Sequence, residues 1–542
     1  MRRRSIGAEV VDGGVHFRVW APPRRSVAAV IDGRDHPLTA EPRGYFSGLV
    51  REARAGTRYR FRLDDEQETY PDPASRFQPE GVHGASEVVD PRFAWRHEAP
   101  PLGRDPIIYE LHVGTFTREG TFAAASAQLE ELADIGITML EVMPIHDFPG
   151  EFGWGYDGVD LFAPTRLYGE PDDFRRFVDA AHAHNLHVIL DVVYNHFGPD
   201  GCYLSQFTPH YFTKKYVNDW GEAINFDDDD AHGVREFFAE NAAYWIDEFH
   251  LDGLRLDATQ SIHDASKTHI IAEIAQRARA AAPHDIFIVA ENEPQDARLI
   301  RELGLDAMWN DDWHHAARVA LTGFNEAYYT DYHGRPQEFV SMAKHGFLYQ
   351  GQRYKWQKDR RGTPSLDVAQ KLVCFLENHD QVANSAHGER LHQLASPGVF
   401  RAMTALLLLA PQTPMLFQGQ ELGLTSPFLY FADHKPELAV LVEDGRKEFL
   451  AQFPSLVGAP VPSPADRATF DACKLDRTQR DARIEKLHRE LLRLRRREPL
   501  LDGAVLGEQC FALRWRERLL IVNLGTNLHL DPVPEPLLAP PA

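Results

Sequence analysis

The 542-residue sequence has few cysteines and no long apolar run. Cys202, Cys374, Cys473 and Cys510 are widely separated and form no Cys-x-x-Cys pair, which argues against a disulfide framework, a zinc site or a redox motif. No stretch approaches the roughly 18 apolar residues of a membrane span, and the basic start at 1–7 lacks the apolar segment of a signal peptide. These absences predict a cytoplasmic protein without a membrane partner.

Positive charge is also scarce. The 58 lysines and arginines against 80 aspartates and glutamates give a formal net charge of −22. This balance argues against a nucleic acid or an anionic membrane as partner, because both are themselves negatively charged. It is compatible with a neutral substrate such as a sugar, and most of the excess carboxylates are expected to serve solubility. The length indicates two to four domains.

The hydrophobic pattern changes along the chain and predicts three domains. Residues 1–98 alternate apolar and polar positions in short segments separated by turn signals, which predicts a β-sandwich. From 105 to 498 strand-like and helix-like segments alternate, so we expect an α/β fold, a (β/α)8 TIM barrel. An aromatic-rich irregular stretch at about 197–230 is predicted to be a lobe over the barrel mouth. Residues 499–542 are predicted to form a small C-terminal β domain ending in a mobile, proline-rich tail at 532–542.

Eight apolar segments of strand length support the barrel. The clearest helix between them is at 232–249, where apolar residues recur every three or four positions and form one stripe. Shorter helical patterns begin near 171 and near 484. The predicted barrel strands are 107–113, 138–143, 187–193, 253–257, 286–290, 307–309, 371–376 and 414–418.

Four of these segments end in a carboxylate or a histidine. A (β/α)8 barrel brings the carboxyl ends of its strands to one open rim, so the side chains that end them are expected to share a pocket. A single acidic strand end would more often be a solvated residue, but four of them in barrel order favour an active site. The segments are 191–196, 253–257, 289–292 and 377–380.

Three carboxylates in this set fit the cleavage of an acetal. Such cleavage needs a proton donor at the leaving oxygen and a carboxylate facing the anomeric carbon. Arg255, two residues before Asp257, would keep Asp257 ionised. Glu291, flanked by the negative charges of Asp257 and Asp380, would have a raised pKa and would keep its proton.

The same four segments resemble the four motif regions of the α-amylase superfamily. The resemblance implies that Asp257 is the nucleophile, Glu291 the acid/base and Asp380 the transition-state stabiliser. It also implies that His196 and His379 bind hydroxyls of the sugar whose bond is cut.

Further segments are similar to the malto-oligosyltrehalose trehalohydrolase family within that superfamily. Members cut the α-1,4 bond next to a terminal trehalose unit, which releases trehalose from a malto-oligosyl chain. The N-terminal region also resembles domains attached to glycogen-active enzymes. The chain departs from the family pattern at 258–261, Glu293, Glu377 and 418–421, none of which includes the three carboxylates. The matching segments, within roughly 105–475, are 152–159, 220–226, 309–316, 321–323, 388–391 and 427–431.

Additional residues are candidates for contact with the substrate. Tyr156 is expected to stack on the sugar ring at the cleaved bond, and Trp220 to wall the leaving-group side, although either could be a packed core residue. Asp311 and Asp312 could bind trehalose hydroxyls or cap the helix that starts there. The complete predicted substrate-binding set is Tyr156, Asp157, His196, Trp220, Arg255, Asp311, Asp312 and His379.

No cofactor or metal is expected. Asp191 and Asn195 could bind calcium, as in some amylases, but we favour a structural role for them because no cluster of oxygen ligands is evident nearby. The motifs also leave open whether water or a sugar hydroxyl intercepts a glycosyl-enzyme. A branching enzyme, an α-amylase or a glucanotransferase is therefore the second interpretation, and a glucan-binding relative without catalysis is the third.

Overall fold

A computed structural model describes residues 2–103 and 105–526. The predicted proline-rich tail at 532–542 lies outside these residues. No helix among the described residues has both the length and the apolar character needed to cross a membrane. The domain limits given above stay predictions, whereas the arrangement of strands and helices can be described directly.

The N-terminal region consists of two four-stranded antiparallel sheets. Alternation builds their shared core: Val15, Phe17 and Val19 are buried between the sheets, while His16 and Arg18 on the same strand are not. One sheet contains Gly7–Val11, Gly14–Trp20, Tyr45–Val50 and Thr39–Ala40, in that order. The other contains Arg34–Pro37, Val27–Ile31, Arg58–Leu63 and Ser86–Glu87.

The central region is a closed barrel of eight parallel strands, and both ends of each strand lie within two residues of the ends of a predicted segment. Their apolar runs lie buried between the barrel interior and the surrounding helices. The fourth and fifth strands approach so closely that a Cβ added at Gly253 would lie 1.8 Å from the carbonyl oxygen of Phe287. The strands are Ile108–Leu111, Met139–Val142, His187–Val192, Gly253–Leu256, Phe287–Ala290, Ala307–Trp309, Leu372–Phe375 and Thr413–Phe417.

Helices surround the barrel, and the predicted helix His232–Phe249 is among them. This helix packs against Ile270–Ala281, the helix that follows the fourth barrel strand. It also contacts the helix Pro171–Ala183 and the strand Asp160–Pro164, which lie between the second and third barrel strands. The longer helices are Pro171–Ala183, His232–Phe249, Ile270–Ala281, Asp311–Thr322, Pro336–His345, Pro397–Leu409, Pro436–Leu450 and Ala482–Leu494. The shorter ones are Val113–Phe116, Phe122–Ser126, Leu129–Ile135, Leu204–Phe207, Arg298–Arg301, His379–Ala383, Leu391–Leu394 and Arg467–Ala472.

The stretch at 197–230 is more regular than predicted. It contains the helix Leu204–Phe207 and an antiparallel hairpin of Phe212–Asn218 with Gly221–Ile224. Phe207 belongs to the core of the N-terminal sandwich. The aromatic residues of the stretch at 197–230 therefore serve packing, because this stretch joins the N-terminal sandwich to the barrel.

Three further two-stranded or three-stranded sheets complete the fold. The C-terminal sheet packs on the helix Pro336–His345, where Phe339 and Phe511 stack with ring centres 5.7 Å apart. The fold class predicted from the sequence, a TIM barrel with an N-terminal sandwich and a small C-terminal β region, is confirmed. The remaining strands are His146–Asp147, Asp160–Pro164, Gln352–Tyr354, Asp359–Arg361, Asp502–Gly507, Cys510–Arg514 and Leu519–Asn523.

Candidate active site

Polar side chains form one layer inside the barrel, near the carboxyl ends of its first four strands. Each of these polar residues follows, two positions later on the same strand, a residue that faces the barrel interior. Because alternate residues of a strand face the same side, both residues point inward. Parallel register places Glu110 beside Glu141 and Asp191 beside Arg255. Ile108, Met139 and Ile189 lie below them in a buried apolar cluster. The charged layer therefore rests on an apolar layer inside the barrel.

Arg255 is the centre of this layer and is fully buried. Its Nη1 atom donates hydrogen bonds of 2.7 Å to Asp257 and 2.8 Å to Asp191. Its Nη2 atom lies 2.9 Å from Glu291 Oε2. The guanidinium also lies 4.3 Å from the ring centre of Trp309. The structure therefore brings Asp257 and Glu291 together on a single cation, with Arg255 beneath them.

The two carboxylates have pKa values shifted in opposite directions. Burial alone would raise the pKa of Asp257, but Arg255 and His196 outweigh burial and the pKa of Asp257 falls below its ordinary value. Burial, together with the charges of Asp257 and Asp380, holds the pKa of Glu291 well above its ordinary value despite Arg255. The surroundings therefore favour the ionised form of Asp257 and the protonated form of Glu291.

Asp380 follows the seventh strand, in the helix His379–Ala383, and is the most exposed of the three carboxylates. One of its oxygens lies 3.6 Å from His379 Nε2. On the other side of the ring, His379 Nδ1 is 2.5 Å from Glu110 Oε1, and the His379 backbone N–H donates to Glu110 Oε2 at 3.0 Å. Burial opposes charge on His379, but Asp380 and Glu110 raise its pKa to about 9. His379 is therefore a cation at neutral pH.

Asp191 and Asn195 hold the pocket together from the third strand. The hydroxyl of Tyr156 donates a 2.6 Å hydrogen bond to Asp191, and Asn195 Nδ2 donates one of 2.8 Å to Asp257. Burial raises the pKa of Asp191 to about 6. In residues 2–103 and 105–526, no group of three or more acidic, histidine or cysteine side chains is arranged to hold a metal ion.

Aromatic side chains line the opening above the carboxylates. Tyr156 stacks on His379 with ring centres 5.1 Å apart and remains partly exposed. Trp220, at the tip of the hairpin, is 48% exposed and stacks on His196 at 5.5 Å. Asp157 is also partly exposed and lies 3.4 Å from His434. An exposed tryptophan above buried carboxylates is the kind of platform on which a sugar ring can stack.

Asp311 and Asp312 have different surroundings although they are adjacent. Asp312 is fully buried and accepts hydrogen bonds from Tyr332, from the Tyr349 backbone and from Arg361. The predicted contact of Asp312 with substrate would require these donors to be displaced. Asp311 keeps 14% of its side chain exposed, and burial raises its pKa to about 6. The helix is capped by the preceding residue, Asn310, whose side chain accepts from the Trp313 backbone.

Sequence reasoning missed Glu110, Glu141 and Arg361. The first two are single acidic residues within buried strands, Ile108–Leu111 and Met139–Val142. A carboxylate in an otherwise apolar barrel strand was the signal that could have identified them, because charged side chains are rarely buried without a partner. Arg361, in contrast, lies on a short hairpin strand and shows its role only through its contact with Asp312.

Comparison with known proteins agrees with this geometry. Residues 111–226 match the family model of the alpha amylase catalytic domain. A Salmonella typhimurium protein described provisionally as an alpha amylase has a crystal structure that superimposes with a TM-score of 0.90 at 39% identity, covering 98% of this chain and 96% of that one. The barrel, the carboxylates at its rim and these matches define a glycoside hydrolase of the α-amylase superfamily.

Two curated relatives narrow the assignment. The malto-oligosyltrehalose trehalohydrolase of Deinococcus radiodurans is 41% identical, with 97% of this chain and 90% of the relative covered. That of Saccharolobus solfataricus is 42% identical, with 82% of this chain and 80% of the relative covered. This chain belongs to the malto-oligosyltrehalose trehalohydrolase family, which confirms the family predicted from the motif segments.

Proposed function

We propose that this enzyme hydrolyses the α-1,4 bond next to the terminal trehalose unit of a maltooligosyl-trehalose and releases trehalose and a malto-oligosaccharide. The observation that carries the proposal is the pair of carboxyl groups, Asp257 and Glu291, held on one buried guanidinium with oppositely shifted pKa values. Membership of the family supports the choice of substrate.

In the first step Glu291 donates its proton to the glycosidic oxygen while an oxygen of Asp257 attacks the anomeric carbon. The bond between that carbon and the glycosidic oxygen breaks, trehalose leaves, and the malto-oligosyl unit is esterified to Asp257. Arg255 favours this division of labour because its charge stabilises the ionised form of Asp257. The side chains of Asp380 and His379 would bind hydroxyls of the sugar that distorts at this centre.

In the second step the ionised Glu291 removes a proton from water. The water oxygen attacks the anomeric carbon, the ester to Asp257 breaks, and Asp257 leaves as a carboxylate. Two successive inversions retain the α configuration. Glu291 is protonated again at the end, so the site returns to its starting state.

The remaining predicted residues are proposed to bind the sugar around this centre. His196, Tyr156 and Asp157 would contact the ring at the cleaved bond, and Trp220 would stack against the leaving group. Asp311 would accept a hydrogen bond from trehalose. We propose a positioning role for Asp312, because its oxygens hold Arg361 and Tyr332 and none faces solvent.

The enzyme is proposed to act on soluble glucans in the cytoplasm. All four cysteines are free, which suits a reducing compartment. The net charge of −22 gives no attraction to nucleic acid or to anionic lipid. A neutral oligosaccharide needs no electrostatic steering.

The test compares two substrates of similar length, maltopentaosyl-trehalose and maltoheptaose, with products separated by chromatography. Trehalose is expected to accumulate much faster than glucose or maltose is released from maltoheptaose. Equal rates on both substrates would refute the proposal in favour of a general amylase, and longer or branched products would favour a transferase. The Glu291→Gln variant should lose turnover by orders of magnitude while it still binds the oligosaccharide. A glucan-binding protein would show no turnover to lose.

A further inference from the structure

A polar groove of about 310 Å³ lies between the N-terminal sandwich and the rim of the barrel. Its walls come from three parts of the chain: a loop of the N-terminal region, the loops after the second and third barrel strands, and the loop after the eighth strand. The lining residues used below are Glu80, His83, Arg166, Asp200, His434 and Lys435.

Asp200 fixes the three walls to one another. Lys435 Nζ lies 2.8 Å from one of its oxygens, and His83 Nε2 is 3.4 Å away. His83 Nδ1 is also within 2.7 Å of the Tyr203 hydroxyl. A loop of the N-terminal region is therefore held against the rim, and the groove has a defined shape.

Two glycines among the lining residues lie where an added side chain would have little room. A Cβ at Gly150 would lie 2.2 Å from the carbonyl oxygen of Asp433, and Gly150 has a φ of +85° that favours glycine. At the second glycine, Gly81, a Cβ would lie 3.2 Å from the Arg166 guanidinium carbon. Two glycines thus let the walls approach and keep the space between them open.

His434 connects this groove with the active site. Its Nε2 atom lies 3.4 Å from Asp157, a predicted substrate contact, and only 4% of its side chain is exposed. Its Nδ1 atom is buried and has no hydrogen-bond partner among the described residues. The buried ring of His434 therefore lies between the wall of the groove and Asp157.

The charges of the groove select the class of ligand. Carboxylates of Glu80 and Asp200 face the cationic groups of Arg166 and Lys435 and the imidazole of His83, and several of these groups are paired with each other or with neighbours. Such a surface has no strong field of one sign but offers both donors and acceptors. A neutral molecule with many hydroxyl groups satisfies both, whereas a charged ligand would face groups of its own sign.

We propose that this groove is a distal subsite that binds glucose units of the malto-oligosyl chain beyond those held at Tyr156 and Asp157. The proposal rests on the function proposed above and names a further part of the same substrate cleft. The groove volume is at the lower end of the range of about 300–1,000 Å³ that ligand sites occupy, which suits one part of a chain rather than a whole ligand. The N-terminal region then contributes directly to recognition of chain length.

The experiment measures kcat/KM for trehalose release from a series of maltooligosyl-trehaloses with increasing numbers of glucose units. For the unaltered enzyme kcat/KM should rise with length and then level off once the groove is filled. His83→Ala removes an exposed groove side chain and should lower the ratio of long-substrate to short-substrate kcat/KM by about three- to tenfold, as expected for one lost hydrogen-bonding group. His36→Ala, on the strand Arg34–Pro37 of the same region, is the matched control and should leave the ratio unchanged.

A second measurement does not depend on which product is released. In the Glu291→Gln background, calorimetry compares the affinity for maltoheptaose with that for maltotriose. A length-dependent affinity that His83→Ala reduces would support the distal subsite even if trehalose were not the product, and only the function proposed above would then fail. Equal affinity for both oligosaccharides, or an equal loss for both in His83→Ala, would overturn the distal subsite.

Discussion

The ion pair between His379 and Glu110 makes the stability of the enzyme depend on pH in a defined window. The pKa of His379 rises from its ordinary 6.5 to about 9 in the folded protein. Because the folded pKa is the higher one, the stabilisation is complete below pH 6.5 and is lost as the pH rises through 9. One pKa unit corresponds to about 1.4 kcal/mol, so between pH 6 and pH 9 this histidine should account for a loss of about 3 kcal/mol.

Glu110→Gln keeps the shape of the side chain but removes one of the two carboxylates that face the ring. Urea denaturation followed by tryptophan fluorescence, at pH 6 and pH 9, gives the free energy of unfolding of variant and unaltered enzyme. The variant should be less stable at pH 6, and its loss between the two pH values should be smaller by about 1–2 kcal/mol, the contribution of a charge-assisted hydrogen bond. Because both proteins contain the other histidines, the contribution of those histidines to the pH dependence cancels in the comparison.

Asp380→Asn is the matched variant, since it removes the other carboxylate near the same ring. Its pH-dependent loss should also shrink, because the charge of Asp380 also raises the pKa of His379. An identical loss of stability between pH 6 and pH 9 in all three proteins would refute the assignment of His379 as a buried cation.

Three further changes test other parts of the structure. Asp252→Asn removes a buried carboxylate whose three histidine partners lower its pKa despite its burial. The variant should lose about 3 kcal/mol of unfolding free energy in urea denaturation at pH 7, and this loss should become smaller below about pH 4. Gly233→Ala places a Cβ 2.1 Å from the Trp20 ring and should lower the melting temperature, with a loss of about 1–3 kcal/mol; an unchanged melting temperature would contradict this packing. Trp220→Ala should raise KM several-fold with little change in melting temperature, because the ring is exposed; an unchanged KM would argue against stacking on substrate.

The barrel could be predicted from sequence because the information is local. Each strand is a short apolar run, and the polar residue that ends it falls where all the strands of a barrel meet. Asp257, Glu291 and Asp380 could therefore be placed in one pocket before any coordinates were known. The family motifs gave the same residues independently.

What sequence could not supply depends on contacts between distant residues. Glu110 and His379 are far apart in sequence, and only closure of the barrel brings them within 2.5 Å. Asp311 and Asp312 have the same chemistry and neighbouring positions, yet the turn of the helix leaves one partly exposed and buries the other against Arg361. Phe207 looked like part of a lobe over the barrel mouth, but it packs into the sandwich core.

The division of roles that we propose for Asp257 and Glu291 follows from how few cations lie beneath them. Asp191, Asp257 and Glu291 all reach the guanidinium of Arg255, which carries one positive charge. Three ionised carboxylates on one buried cation would leave an uncompensated charge of −2, so the group with the least support keeps its proton. Asp257 also receives a hydrogen bond from Asn195 and faces His196, whereas Glu291 faces three acidic neighbours. These surroundings favour the proton on Glu291, and replacing Arg255 by a neutral residue should abolish the distinction and with it most of the activity.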